Sequence, residues 1–205
     1  MADSKDDPRL LIIEPENRGI LPIDNFHIPR RLKRIVRSQP YTITADKAFR
    51  QVIEACAASV ENRPETWINR TIIQLYDALH REGNAHSIEV WDNGELVGGL
   101  YGVSIGGAFF GESMFSRKSN ASKIALVHLV AALKFANYKL LDAQFHNPHL
   151  DQFGIIETPK SEFQTMLQNA LVDECKFPSD KFESNETISS SCLALGQDCL
   201  ALLGQ

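Results

Sequence analysis

Asn93-Gly94 stands between two runs of strand-forming residues, and no other stretch constrains the fold as strongly. Ser87 to Trp91 is β-branched and alternating, and Glu95 to Val103 resumes as a second strand after the turn. Asn-Gly suits the positive φ values of a two-residue hairpin whose twist matches that of its strands. A third strand follows at about residues 108–115, so an antiparallel meander is expected.

Helical spacing dominates on either side. Pro29 to Arg37 reads as a short helix with Leu32, Ile35 and Val36 inward. Tyr41 to Thr44 reads as a brief strand. Asp46 is expected to cap a helix over 47–58, where Phe49, Val52, Ile53 and Cys56 recur at helical spacing. Thr66 opens another over 67–81, ending near Gly83. Beyond the meander, Ser119 or Asn120 caps an amphipathic helix over 121–137, Leu140 to Phe145 is a fourth strand, and 160–171 is a further helix. The first 28 residues read as an irregular arm with one apolar run, Leu10 to Ile13, between Pro8 and Pro15. The tail from Asp173 is acidic around Asp180, Glu183 and Glu186, then Ser-rich over Ser189 to Ser191. It reads as a weakly ordered extension with a short helix over 193–203. This order predicts an α/β (α+β) domain: a mixed sheet with one meander and one crossover.

Composition narrows the function classes. A chain of 205 residues with 43% hydrophobic content can bury a real core. Its net charge of −5 argues against a protein that coats nucleic acid generally, but not against a local basic patch. Arg30, Arg31, Lys33, Arg34 and Arg37 form such a patch, with no acid between Ile28 and Ser38. No stretch reaches the roughly 18 apolar residues of a membrane span, and Met1 to Asp7 lacks the order of a signal peptide. The four cysteines are widely spaced and form no CxxC pair, which favours a reducing compartment. His80, His86 and His149 do not have the spacing of a common metal site, and His86 and His149 are assigned structural roles. A soluble cytoplasmic protein without contact to membranes is expected.

Carboxylates in apolar strands mark the expected chemistry. Glu112 lies in a Gly-flanked run with Phe109, Phe110, Met114 and Phe115 around it. An unpaired buried carboxylate is costly, so this position calls for a partner. Leu140 to Phe145 repeats the device with Asp142 and Gln144, which share one face of a regular strand. Glu112, Asp142 and Gln144 converging on one cleft would make a polar site in an apolar setting.

These segments carry a resemblance. Thr66-Trp67-Ile68, Leu79-His80 with Gly83, His86 to Trp91, Leu96 to Gly102, Phe109 to Ser116, Asn120 to Lys123, Asp142 to Gln144 and His149-Leu150 with Gly154 occur in this order. Together they are similar to the bacterial leucyl/phenylalanyl-tRNA–protein transferases over about residues 6–170. The resemblance implies an acetyltransferase-like (GNAT) fold with a smaller N-terminal domain. The corresponding division is a shortened N-terminal domain over 1–62, a catalytic domain over 63–172 and an extension over 173–205. The implied reaction moves Leu or Phe, and less readily Met, from aminoacyl-tRNA to the N-terminal Arg or Lys of an acceptor protein. The product is marked for degradation by the N-end rule pathway. No cofactor or metal is required, because the aminoacyl ester is already activated; a monomer is expected.

Residue roles follow from the same resemblance. Asp142 orients and polarises Gln144, whose carbonyl accepts a hydrogen bond from the attacking amine, and Glu112 holds an ammonium. Leu100, Phe109, Leu126, Leu129 and Leu141 match positions that line the pocket for the aminoacyl side chain. Trp67, and Tyr76 on the same helix, are placed near the terminal adenosine, where stacking is worth about 1–3 kcal/mol per base. The basic run at Arg30 to Arg37 suits acceptor-stem phosphates. Two departures accompany the resemblance: the family's Gly-Ile-Phe-Pro-Trp-like segment is missing from the sequence, and Lys160 stands where the family usually has Arg. The alternative is a catalytically weakened module that binds tRNA or peptide. An acyl-CoA acetyltransferase is disfavoured, because Arg117 to Ala121 contains no glycine of a pyrophosphate loop.

Overall fold

The computed structural model of the chain describes residues 11–58, 66–182 and 192–205. Strands β3 (Ala85–Asp92), β4 (Glu95–Ile105) and β5 (Ala108–Ser116) form the expected meander, with Asn93 and Gly94 both at positive φ in its first turn. Four shorter strands join them: β1 (Asn17–Ile20), β2 (Thr42–Ala45), β6 (Leu140–Asp142) and β7 (Ile156–Pro159). The order across the sheet is β2-β3-β4-β5-β6-β1-β7. Neighbours run antiparallel except β5 and β6, whose parallel pairing requires a crossover. Helix α4 (Ala121–Phe135) is that crossover.

Strand alternation sorts the core. Leu100 and Tyr101 are adjacent on β4 and enter different apolar clusters. The first cluster joins the sheet to α4, α1 (Arg30–Ser38) and α6 (Gly196–Leu202); the second lies under α2 (Phe49–Ala57) and α3 (Arg70–Arg81). A smaller third cluster joins Ile20, Ala108 and Leu140 to α5 (Lys160–Leu171). Gly98 lets α4 approach closely, since a Cβ there would stand 2.4 Å from the Ala121 Cβ. The expected amphipathic character of α4 does not hold: 11 of its 15 residues are buried, because α1 and α6 also pack against it.

Several expectations change at the ends of elements. Asp46 does not cap α2, whose N-cap is Ala48. Instead Asp46 sits at φ 58°, and its carboxylate accepts from the Ser87 N–H at 2.9 Å and pairs with His86 Nδ1 at 2.7 Å. Helix α3 begins later than Thr66, with the Asn69 side chain accepting from the Ile72 N–H at 2.8 Å. Asn120 precedes α4 in a left-handed conformation without a side-chain cap, and Ser116 Oγ accepts the Ser122 N–H instead, at 3.3 Å.

The arm and the tail are corrected as well. Residues 17–20 are not irregular; they form β1 between β6 and β7. Both β1 and β7 are four residues long, and neither Asn17–Ile20 nor Ile156–Pro159 has the β-branched alternation that marked β2. The tail does not behave as a weakly ordered extension where it is described: Phe182, Leu193, Cys199, Leu200 and Leu203 are buried in the α4 cluster. His128 Nδ1 reaches the Leu193 carbonyl at 2.7 Å. The expected terminal helix is present as α6. The residues that carry Glu183, Glu186 and Ser189 to Ser191 lie outside the described residues, as does Leu10 of the apolar run. No helix among the described residues is long and apolar enough to cross a membrane.

Because Leu200 is 2% exposed, Leu200→Ala is expected to lower stability by about 2–5 kcal/mol. Chemical denaturation of the full chain checks this, and a loss below about 0.5 kcal/mol would show the tail packing to be energetically idle.

Candidate active site

The cleft arises where β5 and β6 part. They pair only from Ala108 opposite Leu140 to Phe110 opposite Asp142; β6 ends there while β5 continues to Ser116. At the same place β5 carries a bulge against β4, since Tyr101 pairs with Ser113 but Gly102 pairs with Gly111. Glu112 is the extra residue, and a bulge re-aims a side chain that regular pairing would fix. Gly102 makes room for the bend: a Cβ there would stand 2.3 Å from the Phe110 carbonyl oxygen. The resulting cleft has a volume of about 1100 Å³ and is lined from both principal clusters.

The three expected polar residues all line it. Burial pushes the Glu112 carboxyl above its ordinary value of 4.5, and the nearby charge of Asp142 adds to the shift. The Tyr76 hydroxyl, which donates a hydrogen bond to Glu112, opposes it, as does the charge of Arg18. Burial and the same carboxylate raise the Tyr76 phenol well above its ordinary range.

Asp142 is 0% exposed, and both its oxygens are engaged. Oδ2 accepts from Arg18 Nη1 at 2.8 Å, and Oδ1 accepts from the Gln144 main-chain N–H at 2.7 Å. Burial raises its carboxyl above the ordinary value; these two contacts oppose the rise. The expectation that Asp142 and Gln144 share a strand face fails here. Gln144 lies beyond the end of β6 at φ 59°, and Asp142 grips its backbone. Gly19 holds the same turn from the other side, donating to the Gln144 carbonyl at 3.1 Å and accepting from the Ala143 N–H at 2.8 Å.

Leu100, Leu126, Leu129 and Leu141 form an apolar wall of the cleft, and Trp67 and Tyr76 line it from the α3 side. Phe109 does not line it. That ring is 0% exposed and packs against Tyr138 and Phe177, with centroids 6.5 and 5.8 Å away. The cations of α1 are also outside it: Arg30, Arg31, Arg34 and Arg37 are exposed, Lys33 is half-buried, and none forms an ion pair among the described residues. Of the histidines, His86 is held by Asp46, while His149 stands at the cleft.

Two cleft residues escaped sequence reasoning. Arg18 belongs to the segment read as an arm, and its guanidinium lies 4.7 Å from the Phe163 ring centroid. Tyr101 sits inside a recognisable run, but its hydroxyl is buried with no hydrogen-bond partner among the described residues. The acid-and-amide spacing after Leu141 marked Asp142 and Gln144, though as residues of one strand and not of a turn; nothing comparable pointed to Arg18.

A family model described as leucyl/phenylalanyl-tRNA protein transferase matches residues 20–168. Curated relatives named leucyl/phenylalanyl-tRNA–protein transferase include one from Hyphomonas neptunium, 63% identical over 83% of this chain and 66% of its own length. Another from Phenylobacterium zucineum is 56% identical over 86% of this chain and 80% of its own length. One from Caulobacter vibrioides is 50% identical over all of this chain and 90% of its own length. A solved structure of a functionally unknown conserved protein from Staphylococcus epidermidis aligns with a TM-score of 0.44 at 12% identity, over 70% of this chain and 57% of that one. Fold and site define a mixed α/β protein with an apolar-walled cleft that holds two buried carboxyls at a splayed parallel strand pair. The chain belongs to the leucyl/phenylalanyl-tRNA–protein transferase family, a family of aminoacyltransferases.

A carboxyl raised in the folded state gives a definite pH signature. The folded protein binds the Glu112 proton more tightly than the unfolded chain, so this group's contribution to stability falls as pH rises from the ordinary value of 4.5 through the raised one. Glu112→Gln keeps the shape and removes the buried charge. It is expected to melt at least as high as the parent at pH 7, with the difference shrinking below pH 4.5. A variant that instead melts well below the parent at pH 7 would show the charge to be structural.

Proposed function

We propose that the chain transfers leucine or phenylalanine, and less readily methionine, from aminoacyl-tRNA to the N-terminal Arg or Lys of an acceptor protein, and that the product enters the N-end rule pathway. The observation that carries this reading is the meeting of Glu112, Asp142 and Gln144 beside the apolar wall of Leu100, Leu126, Leu129 and Leu141. The wall accepts an apolar side chain of variable shape and disfavours a charged one through desolvation. Trp67 and Tyr76 face the same space and suit the terminal adenosine.

The reaction joins an amine to an ester carbonyl. The neutral α-amine of the acceptor attacks, a C–N bond forms, the ester C–O bond breaks, and the ribose oxygen leaves with a proton. An amide is too weak a base to remove a proton outright, so Gln144 is assigned to orient the amine through a hydrogen bond to its carbonyl. Asp142 contributes by fixing the Gln144 backbone, and Glu112 by attracting an ammonium. Most of the acceleration then comes from positioning. Arg30, Arg31, Lys33, Arg34 and Arg37 supply a phosphate-binding face on α1, which packs against α4; α4 lines the cleft through Ser122, Lys123, Leu126 and Leu129.

The test is transfer of labelled leucine from Leu-tRNA to a peptide beginning with Arg. Labelling of that peptide, but not of its N-acetylated form, is the expected result; tRNA binding without transfer would favour the weakened binding module. For the α1 face, reversing Arg31, Lys33 and Arg34 to Glu is expected to weaken tRNA binding and flatten its dependence on salt. Equal affinity and equal slope in the triple variant would remove the face from the tRNA contact.

A further inference from the structure

We propose that Arg18 is a positioning residue of the transfer site: its guanidinium, seated between the Phe163 ring and the Asp142 carboxylate, supplies the counter-charge through which Asp142 holds the Gln144 turn. The inference rests on the proposed function for its catalytic meaning, and its geometry is independent of that function.

Arg18 lies on β1 opposite Thr158 of β7, on a strand that meets β6 at the single pair Ile20 and Asp142. Three main-chain hydrogen bonds flank that pair, the two made by Gly19 and one from the Leu21 N–H to the Leu141 carbonyl at 3.0 Å, and Arg18 adds a side-chain contact at the same junction. Arg18 Nη1 reaches Asp142 Oδ2 at 2.8 Å, with side chains 17% and 0% exposed. The Phe163 ring, 4.7 Å from the guanidinium carbon, limits where that charge can go. Arg18 and Gly19 thus hold one turn by two routes: Arg18 through Asp142 to the Gln144 N–H, and Gly19 directly to the Gln144 carbonyl at 3.1 Å. Gln144 needs such restraint, because a left-handed backbone at a non-glycine residue persists only where its surroundings enforce it.

Charge makes Arg18 difficult to replace. From β5, Glu112 faces Asp142 with the same sign; from α5, the neighbour of Arg18 is the uncharged Phe163. The remaining charged or titratable cleft residues among those described are Tyr76 on α3, Tyr101 on β4, Arg117 after β5, Lys123 on α4, and His146 and His149 beyond β6. Lys123 is directed to Gln152 at 3.4 Å and His146 to Asp151 at 2.7 Å. Without the guanidinium, burial and Glu112 would both favour a protonated Asp142, which is a weaker acceptor for the Gln144 N–H.

The experiment compares the parent chain with Arg18→Met and Arg18→Lys, reading kcat/KM for leucyl transfer against pH after division by the fraction of neutral acceptor amine, so that the amine's own titration does not set the acidic limb. The Met variant is expected to move the acidic limb up by about 1–3 pH units, the usual effect of an opposite charge on a carboxylate, and to recover activity on the alkaline side. The Lys variant should move it less. In an Asp142→Asn background, Arg18→Met should add little, since both act through one contact. A loss uniform across pH, or fully additive losses, would overturn the assignment. If Arg18→Met does not fold, the Lys variant must still show a smaller shift in the same direction, and an unmoved limb overturns the proposal. Carbon-13 NMR of the Asp142 carboxyl, assigned through Asp142→Asn, reads the midpoint without catalysis. A midpoint unmoved in a folded Arg18 variant sinks the role of Arg18; a moved midpoint in a chain that transfers no leucine sinks the proposed function and leaves the pairing intact.

Discussion

The buried carboxylate of Asp142 ties the cleft to the rest of the sheet. It occupies the last position of the β5–β6 parallel pairing, the single pairing of β6 with β1, and the start of the Gln144 turn. A charge in that position would be strongly unfavourable without partners. The contacts that satisfy it, Arg18 and the Gln144 N–H, come from β1 and from the turn that follows β6. Losing one partner would do more than remove a hydrogen bond, because the penalty of the remaining buried charge would then fall on the cleft itself.

The opening of the cleft follows from strand lengths and one extra residue. β6 has three residues and β5 has nine, so the far half of β5 has no parallel neighbour. The bulge at Glu112 turns the freed strand at that point, and Gly102 opposite tolerates the bend. Because the gap passes between strands, both apolar clusters contribute to one cavity: the α4 side offers Leu126 and Leu129, and the α3 side Trp67 and Tyr76.

Much of this was legible in the chain because the signals are local. The Asn93-Gly94 hairpin, the Ala121–Phe135 crossover helix and the acid within Phe109 to Phe115 each announce themselves within about ten residues, and each takes its expected place. The strands β1 and β7 were not legible, since these two short strands pair with neighbours more than a hundred residues away. The same distance hid Arg18: nothing around it indicates that Asp142, 124 positions later, needs a cation. Phe109 shows the converse limit, for a strand position fixes which face a ring takes only once the sheet's two coverings are known. It packs on Tyr138 and Phe177 rather than in the cleft.

The two cleft carboxylates are unequal, and the inequality suggests how they divide their roles. Asp142 has a guanidinium at hydrogen-bonding distance and both oxygens occupied, so little of its charge is left for another partner. Glu112 is bonded by a phenol, which donates a hydrogen bond but carries no compensating charge, and it feels Arg18 only through space. A buried anion solvated by a neutral donor retains an unmet demand for a cation. An ammonium brought by a substrate would meet that demand and reverse the penalty that burial imposes on Glu112, lowering its raised pKa as it binds. The same balance accounts for Tyr76: the hydroxyl holds the carboxylate in one orientation while leaving its charge available, which a lysine or arginine in that place would cancel.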